Sequence, residues 1–378
     1  MSGIYIHIPF CRQACSYCDF YFVTRQEMRG EFVSRLCDEI DRYGETAFAD
    51  EPVETVYIGG GTPSLLSASE ISAIFSHLEK NFSLRTKEVT MELNPDDVTV
   101  AYLKELQSAG ITRASMGVQT FDPDRLGFMN RAHNPSEAVQ ALNFLREAGF
   151  SVFTADLIYG NPGQTVEELD EDIDRLLEFD PPHISAYALT IEPGTRLGKQ
   201  VESGRMTPAG DDQVADHFDL LTRKLPEKGL HRYEISSYSK KGFEAIHNRN
   251  YWHHKNYLGL GPSAHSFWWG QEGARRWKTV NSIRQYLDEP FDRMSVEKEN
   301  LPLAVLAEER LMLGLRTRQG ILIRELDDRY GYSLSPGQRE WLGKKADEGL
   351  VFFDGRQISL TTDGLKLADH LVVELLLK

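Results

Sequence analysis

Tyr5-Ile6-His7-Ile8-Pro9-Phe10-Cys11, with Cys15 and Cys18 close behind, sets a strand-length apolar run directly before a loop that carries three thiols. Residues 4–8 open a series of short runs rich in β-branched or aromatic side chains. The others are 53–58, 89–93, 114–118, 152–159 and 184–189, and runs of this length and composition read as strands. Between them, residues 31–43, 69–80, 100–109, 135–148 and 166–179 carry helical spacing. Ser67 with Glu70 and Thr165 with Glu168 are capping boxes, in which each side chain satisfies the other's backbone donor. Gly110 and Gly149 follow two of the helices, where a left-handed C-cap is expected. Strands alternating with helices predict an α/β fold, a parallel sheet with helices outside it. Six strands suit a partial (β/α)6 barrel of TIM type, either open and curved or part of a closed eight-fold ring. In both forms the active site belongs at the C-terminal ends of the strands. The unusual residues fall there: the cysteine loop after strand one, Gly59–Pro63 after strand two, then Glu92, Gln119 and Asp156 at the ends of strands three, four and five.

Residues 201–300 are less regular and rich in His and aromatics, and read as an extension of the barrel. From residue 301 the pattern turns to helices over 304–315, 321–330 and 336–348, a hairpin over 351–360 turning at Asp354-Gly355, and a closing helix over 365–377. That order predicts a small winged-helix-like domain. The expected division is therefore 1–200, 201–300 and 301–378.

Composition narrows the function. The chain has 378 residues, with 42 Lys plus Arg against 57 Asp plus Glu, so its net charge is −15. An acidic chain lacks the electrostatic footprint of a nucleic-acid binder, and the closing helices are not markedly basic. No apolar run approaches the roughly 20 residues of a membrane span, and the start lacks the layout of a secretion signal, so a cytoplasmic protein is expected. In a reducing compartment the three clustered cysteines read as a metal or redox site before a disulfide. Tetrahedral structural zinc wants four protein ligands, and no second pair completes one. Three thiolates on a four-iron cubane leave one iron open, which suits chelation of a cofactor through amino and carboxylate groups. The bland alternative is three buried structural cysteines. Cys37 falls mid-helix and reads as a small core residue.

The remaining candidates each carry two readings. Gly59–Gly61 lets backbone N–H groups approach a carboxylate or ribose, and equally makes a tight turn. Glu92 can accept from ribose hydroxyls or an ammonium group. Arg131 can pair with a carboxylate, although alone it reads as solvated. His247 stands beside Tyr251 and Trp252, with His253, His254 and His265 close by; a lone His beside aromatics reads most simply as hydrogen-bonded and partly buried. Arg275, Arg276 and Lys278 read most simply as a solvated basic patch.

The Cys11-x3-Cys15-x2-Cys18 loop after a first strand resembles the signature of the radical S-adenosylmethionine (SAM) superfamily. Together with Gly59-Gly-Gly-Thr-Pro63, Ser115-Met-Gly-Val-Gln119 and the stretch from Asp156 to Thr165, it resembles the HemN/HemW family along almost the whole chain. That family holds oxygen-independent coproporphyrinogen III dehydrogenases and haem chaperones. The resemblance implies a [4Fe-4S] cluster on Cys11, Cys15 and Cys18, with SAM on its open iron. It assigns Tyr5, Gly60, Gly61, Thr62, Glu92, Gln119, Arg131 and Asp156 to SAM, and Tyr17 to the cluster loop. The decarboxylating enzymes resemble a pattern with a further cysteine where this chain has Phe20, and they carry an N-terminal extension, whereas here the first strand begins almost at residue 1. His247-Asn-Arg-Asn-Tyr-Trp252 matches the pattern associated with haem binding in the chaperone branch. That match implies His247 as a ligand to haem iron, with His253, His254 and His265 as substitutes, and lets Arg275, Arg276 and Lys278 meet haem propionates. The resemblance thus implies haem as cargo, haem-requiring proteins such as respiratory enzymes as recipients, and no nucleic-acid partner. It also admits peripheral membrane contact and a homodimer. The alternative function it leaves is coproporphyrinogen III dehydrogenase.

Overall fold

The computed structural model describes residues 2–378. Its first half alternates β1 (Ser2–Ile8), α1 (Arg29–Gly44), β2 (Val53–Gly60), α2 (Ala68–Asn81), β3 (Leu84–Leu93), α3 (Val100–Ser108), β4 (Arg113–Gln119), α4 (Pro123–Phe128), α5 (Pro135–Ala148), β5 (Phe153–Tyr159), α6 (Val166–Leu177) and β6 (His183–Ala188). Strands β1 to β6 pair side by side in chain order, all parallel. Both predicted capping boxes form, and Asn134 with Glu137 adds another at α5. Gly149 ends α5 at φ 83°, and Gly110 lies one residue past the α3 cap at φ 102°. The short helix α4 was not apparent from periodicity; the Asp122 side chain starts it by accepting from the N–H groups of Asp124 and Arg125.

The alternation of β1 explains its place. Ile4, Ile6 and Ile8 are fully buried in one apolar cluster with Phe32, Leu36 and Ile40 of α1. Each such side chain contributes about 1.5–3 kcal/mol by leaving water. The intervening Tyr5 and His7 must then point to the opposite face of the sheet.

The middle segment is more regular than its sequence suggests. It contains α7 (Arg196–Glu202), α8 (Asp211–Glu227), β7 (His231–Arg232), β8 (Ser237–Ser239), α9 (Ile246–Trp252), β9 (Tyr257–Leu260), β10 (His265–Trp269), β11 (Gly273–Thr279), α10 (Ile283–Asp288), α11 (Phe291–Met294) and β12 (Ser295–Pro302). These strands lengthen the same sheet at both edges. β8 and then β7 add antiparallel beyond β6; β9 lies parallel beside β1, and β10, β11 and β12 follow antiparallel. Among the described residues no ladder joins β7 to β12, so the sheet takes the open, curved form.

One buried carboxyl ties this extension to α1. Glu39 accepts from the Gly261 N–H and the Tyr286 hydroxyl, both at 2.8 Å. Burial pushes Glu39 up from its ordinary 4.5 to about 7. The folded protein therefore holds that proton to higher pH than the unfolded chain does, and stability falls as pH climbs from 4.5 through 7. Glu39→Gln removes this titration. Relative to wild type, the variant is expected to gain on the order of 2–4 kcal/mol between pH 5 and pH 8. Urea unfolding of both proteins at the two pH values checks it, and a pH-independent difference would refute the assignment.

The last elements are α12 (Leu303–Leu315), β13 (Ile321–Leu322), α13 (Ile323–Tyr330), α14 (Pro336–Asp347), β14 (Val351–Phe353), β15 (Gln357–Leu360), α15 (Thr362–Lys366) and α16 (Ala368–Leu376). Helix, strand, two helices and a hairpin, with sheet order β13-β15-β14, give a winged-helix topology. The turn forms at Asp354-Gly355, where the Asp354 carboxylate accepts from the N–H groups of Arg356 and Gln357 at 2.8 Å each. The predicted closing helix is divided at Leu367 into α15 and α16. Leu306, Leu311 and Leu326 share one apolar cluster with Phe267 and Leu301 from the large sheet. Among the described residues no helix is long and apolar enough to cross a membrane.

Candidate functional site

The C-terminal ends of β1 to β6 surround a cavity of about 520 Å³. Every residue assigned from the sequence to the cluster or to SAM lines it except Tyr5, and the haem candidate His247 and its substitutes do not. A second cavity, of about 980 Å³, lies alongside; the two share Asp19, Phe20, Phe22, Tyr57, Glu92 and Asn248 as wall.

The cysteine loop is strapped to the connection between α4 and α5. Ser16 donates its N–H to the Met129 carbonyl and its hydroxyl to Phe128, both at 2.9 Å, and Asn130 Nδ2 donates to the Ala14 carbonyl at 2.6 Å. Cys11 is buried, while Cys15 and Cys18 are half-buried. Burial pushes the Cys11 thiol up to about 11 and that of Cys18 to about 12. Both are neutral thiols at pH 7 until a metal takes them as thiolates. Arg131 stands over the loop: Nη1 lies 3.4 Å from Cys15 Sγ, and Nη2 donates to Asn94 Oδ1 at 2.7 Å and to the Gly117 carbonyl at 3.3 Å. A guanidinium in that place favours sulfur carrying negative charge. Among the described residues no three His, Cys, Asp or Glu side chains converge on a single ion. A cubane needs only that each thiolate meet its own iron.

Glycines bring the backbone close at the end of β2. A Cβ on Gly61 would lie 2.7 Å from the Phe10 carbonyl and 2.9 Å from Cys11 Sγ, so only glycine fits against the loop. Gly60, at φ 114°, donates its N–H to Glu92 Oε2 at 3.0 Å, and the Tyr57 hydroxyl donates to Glu92 Oε1 at 2.7 Å. Glu92 is thus aimed by two donors; burial, with Asp156 adding to it, pushes its carboxyl up to about 7. Burial likewise lifts Asp156 to about 6 against a hydrogen bond from Ser115 at 3.2 Å. Gln119 ends β4 in the left-handed region at φ 66°, where the pairing with β5 slips register. Such a bulge re-aims a side chain out of the pleat. In the cavity wall, Thr90 Oγ1, Arg131 Nε and His183 Nδ1 have no hydrogen-bond partner among the described residues. A wall with carboxylates, a cation and orphaned polar atoms fits a polar, zwitterionic ligand.

The sequence reading missed several wall residues: Arg113, Thr154, His183 and Ser185. Arg113 is 2% exposed, donates to Thr154 Oγ1 and to the Phe243 carbonyl, and lies 3.5 Å from the buried Glu88. An arginine at the first position of a short strand carries no pattern that separates it from a surface residue.

The other two candidates lie elsewhere. Tyr5 lines the second cavity, stacked on Tyr57, with its hydroxyl 3.0 Å from His7 Nδ1. His247 is 1% exposed, packed against Tyr57, and both ring nitrogens are engaged, Nδ1 with Thr55 Oγ1 at 2.9 Å and Nε2 with the Tyr251 hydroxyl at 2.8 Å.

A partial barrel with three cysteines at the mouth of its first strand defines a radical SAM protein. Residues 5–176 match the radical SAM superfamily and 301–367 match the HemN C-terminal domain. The chain belongs to the HemW family of that superfamily. It is 33% identical to the haem chaperone HemW of Bacillus subtilis (strain 168), across 98% of both chains. It is 31% identical to the haem chaperone HemW of Lactococcus lactis subsp. lactis (strain IL1403), across 100% of this chain and 97% of that one. The solved structure of coproporphyrinogen III oxidase (HemN) from Escherichia coli, a radical SAM enzyme, shares the fold with a TM-score of 0.84, covering 99% of this chain and 89% of that one at 23% identity. Superfamily membership implies a [4Fe-4S] cluster and SAM.

Proposed function

We propose that the protein is a haem chaperone that binds haem and passes it to haem-requiring proteins, respiratory enzymes foremost, from the cytoplasmic side of the membrane. In this reading Cys11, Cys15 and Cys18 hold the cluster, and Gly60, Gly61, Thr62, Glu92, Gln119, Arg131 and Asp156 surround SAM, with Tyr17 packed on the loop. When bound, the cluster can supply one electron to SAM. The chain's own residues supply position: Arg131 steadies charge on Cys15, and Tyr57 with the Gly60 N–H aims Glu92 at a hydroxyl or ammonium group.

The observation that carries the reading is Phe20. It is 66% exposed and stands in the wall common to both cavities. A ring left in water at such a junction offers a flat apolar face to a macrocycle. It offers no metal ligand where the decarboxylating relatives' pattern has a cysteine. The test is anaerobic reconstitution with iron and sulfide, followed by haem and coproporphyrinogen III challenges on the same preparation. Haem binding with a Soret shift, and no protoporphyrinogen at useful turnover, is expected. No Soret shift removes the chaperone reading; sustained turnover of coproporphyrinogen III puts the dehydrogenase in its place.

A further inference from the structure

We infer that the second cavity seats haem with the His265 imidazole on the iron and the Arg276–Lys278 pair on its carboxylates; this rests on the haem-chaperone reading. The register of the sheet extension makes the site. Across β10 and β11, His265 faces Lys278 and Phe267 faces Arg276. Residues two apart on a strand share a face, so all four project to one side. All four line the cavity. Phe267 stacks on Tyr257 of β9 at 6.2 Å and 19°, and Tyr251 meets Tyr257 edge-on at 4.7 Å. The result is an aromatic floor with an imidazole and two cations along one edge. Its volume, about 980 Å³, is at the upper end of small-molecule sites and suits a macrocycle.

The choice of histidine follows from which ring nitrogens are free. His7 is held by the Tyr5 hydroxyl at 3.0 Å and by the Tyr21 carbonyl at 2.8 Å. His254 Nδ1 meets the Tyr330 hydroxyl at 3.1 Å, and its Nε2 lies 3.6 Å from the Glu309 carboxylate. His247 is outside the cavity wall with both nitrogens engaged, and acts by fixing Tyr251. Among the described residues no hydrogen bond or ion pair engages the ring of His265, which is exposed in the cavity. Partial desolvation within the cavity and the nearby Lys278 lower its pKa, which favours the neutral imidazole, the form that binds iron.

The cations already face carboxylates. Arg276 pairs with Glu309 at 2.6 Å and with Glu299 at 3.8 Å, and Lys278 with Glu297 at 3.7 Å. Glu297 and Glu299 are more than half exposed, so a ligand's carboxylates can replace them at little cost. Glu309, held also by His254, stays in place and orients Arg276.

Titrating iron protoporphyrin IX and metal-free protoporphyrin IX into the full chain separates the parts. His265→Ala is expected to weaken haem binding by on the order of ten- to a hundredfold and to lose the nitrogen-ligated iron spectrum. Metal-free porphyrin should bind that variant as it binds wild type. Added imidazole should restore the spectrum to His265→Gly. The double variant Arg276→Ala/Lys278→Ala should weaken both porphyrins. If wild type binds haem and His265→Ala keeps its spectrum and affinity, the ligand assignment is wrong while the chaperone reading stands. Loss of the ligated spectrum in His247→Ala and not in His265→Ala also overturns it. If wild type binds no haem, the chaperone reading itself fails.

Discussion

Serine at Cys11, Cys15 or Cys18 is expected to strip the anaerobically reconstituted protein of most of its iron and of the broad visible absorbance of a cubane. A hydroxyl is a hard, weakly acidic ligand, and losing one of three sulfurs leaves two corners to hold the cluster. SAM affinity should fall with it, by about tenfold or more, because its chelating iron is gone. Cys37→Ala is the control. Cys37 sits in α1 with its side chain in the core, so the variant should keep wild-type iron and lose only about 1 kcal/mol of stability. Iron and sulfide per chain, with the visible spectrum, decide the matter. Full iron in a Cys15→Ser protein, or stoichiometric zinc in an oxygen-free wild-type preparation, would sink the cluster assignment.

Arg113→Met should destabilise the fold by about 3–5 kcal/mol, since it leaves Glu88 buried without its cation. Glu88 is 5% exposed and accepts from the backbone N–H groups of Ile246 and His247, both at 2.9 Å. Its carboxylate therefore caps the start of α9, and the helix that carries His247 should loosen with it. The exposed pair Arg42–Glu45 gives the contrast: removing it should change stability by no more than about 1 kcal/mol. Urea unfolding of Arg113→Met and of Arg113→Met/Glu88→Met supplies the test. The double variant should recover much of the loss, because two apolar side chains leave no stranded charge. An Arg113→Met protein as stable as wild type would show that the pair carries no weight.

The alternating half of the fold was legible because its signals are local. Strand-length runs, helical spacing and capping boxes each complete themselves within one element, and so does the rule that sends chemistry to the strand ends. Part of the first cavity's wall was readable for the same reason, since Glu92, Gln119 and Asp156 are polar residues closing apolar strands. The sheet extension was not. β7, β8 and β9 span only His231–Arg232, Ser237–Ser239 and Tyr257–Leu260, too short to show a period of two. The fate of His247 was hidden in another way: its Nδ1 partner, Thr55, lies 192 residues away in the chain. A motif can show that an imidazole stands beside aromatics; it cannot show that the ring is already occupied. His265 was one of several alternatives in the sequence, and only the β10–β11 register brings it opposite Lys278.

The placing of β1 between β2 and β9 bears on how the molecule is made. Residues 2–8 leave the ribosome long before residues 257–260, one of their two neighbours in the sheet. For most of synthesis the founding strand has a bare edge, and the thiol loop that follows it has an incomplete seat. Bare edges invite wrong pairing, and distant pairing is slow to find. A nascent chain cut short of residues 257–260 would keep that edge open and be prone to stick.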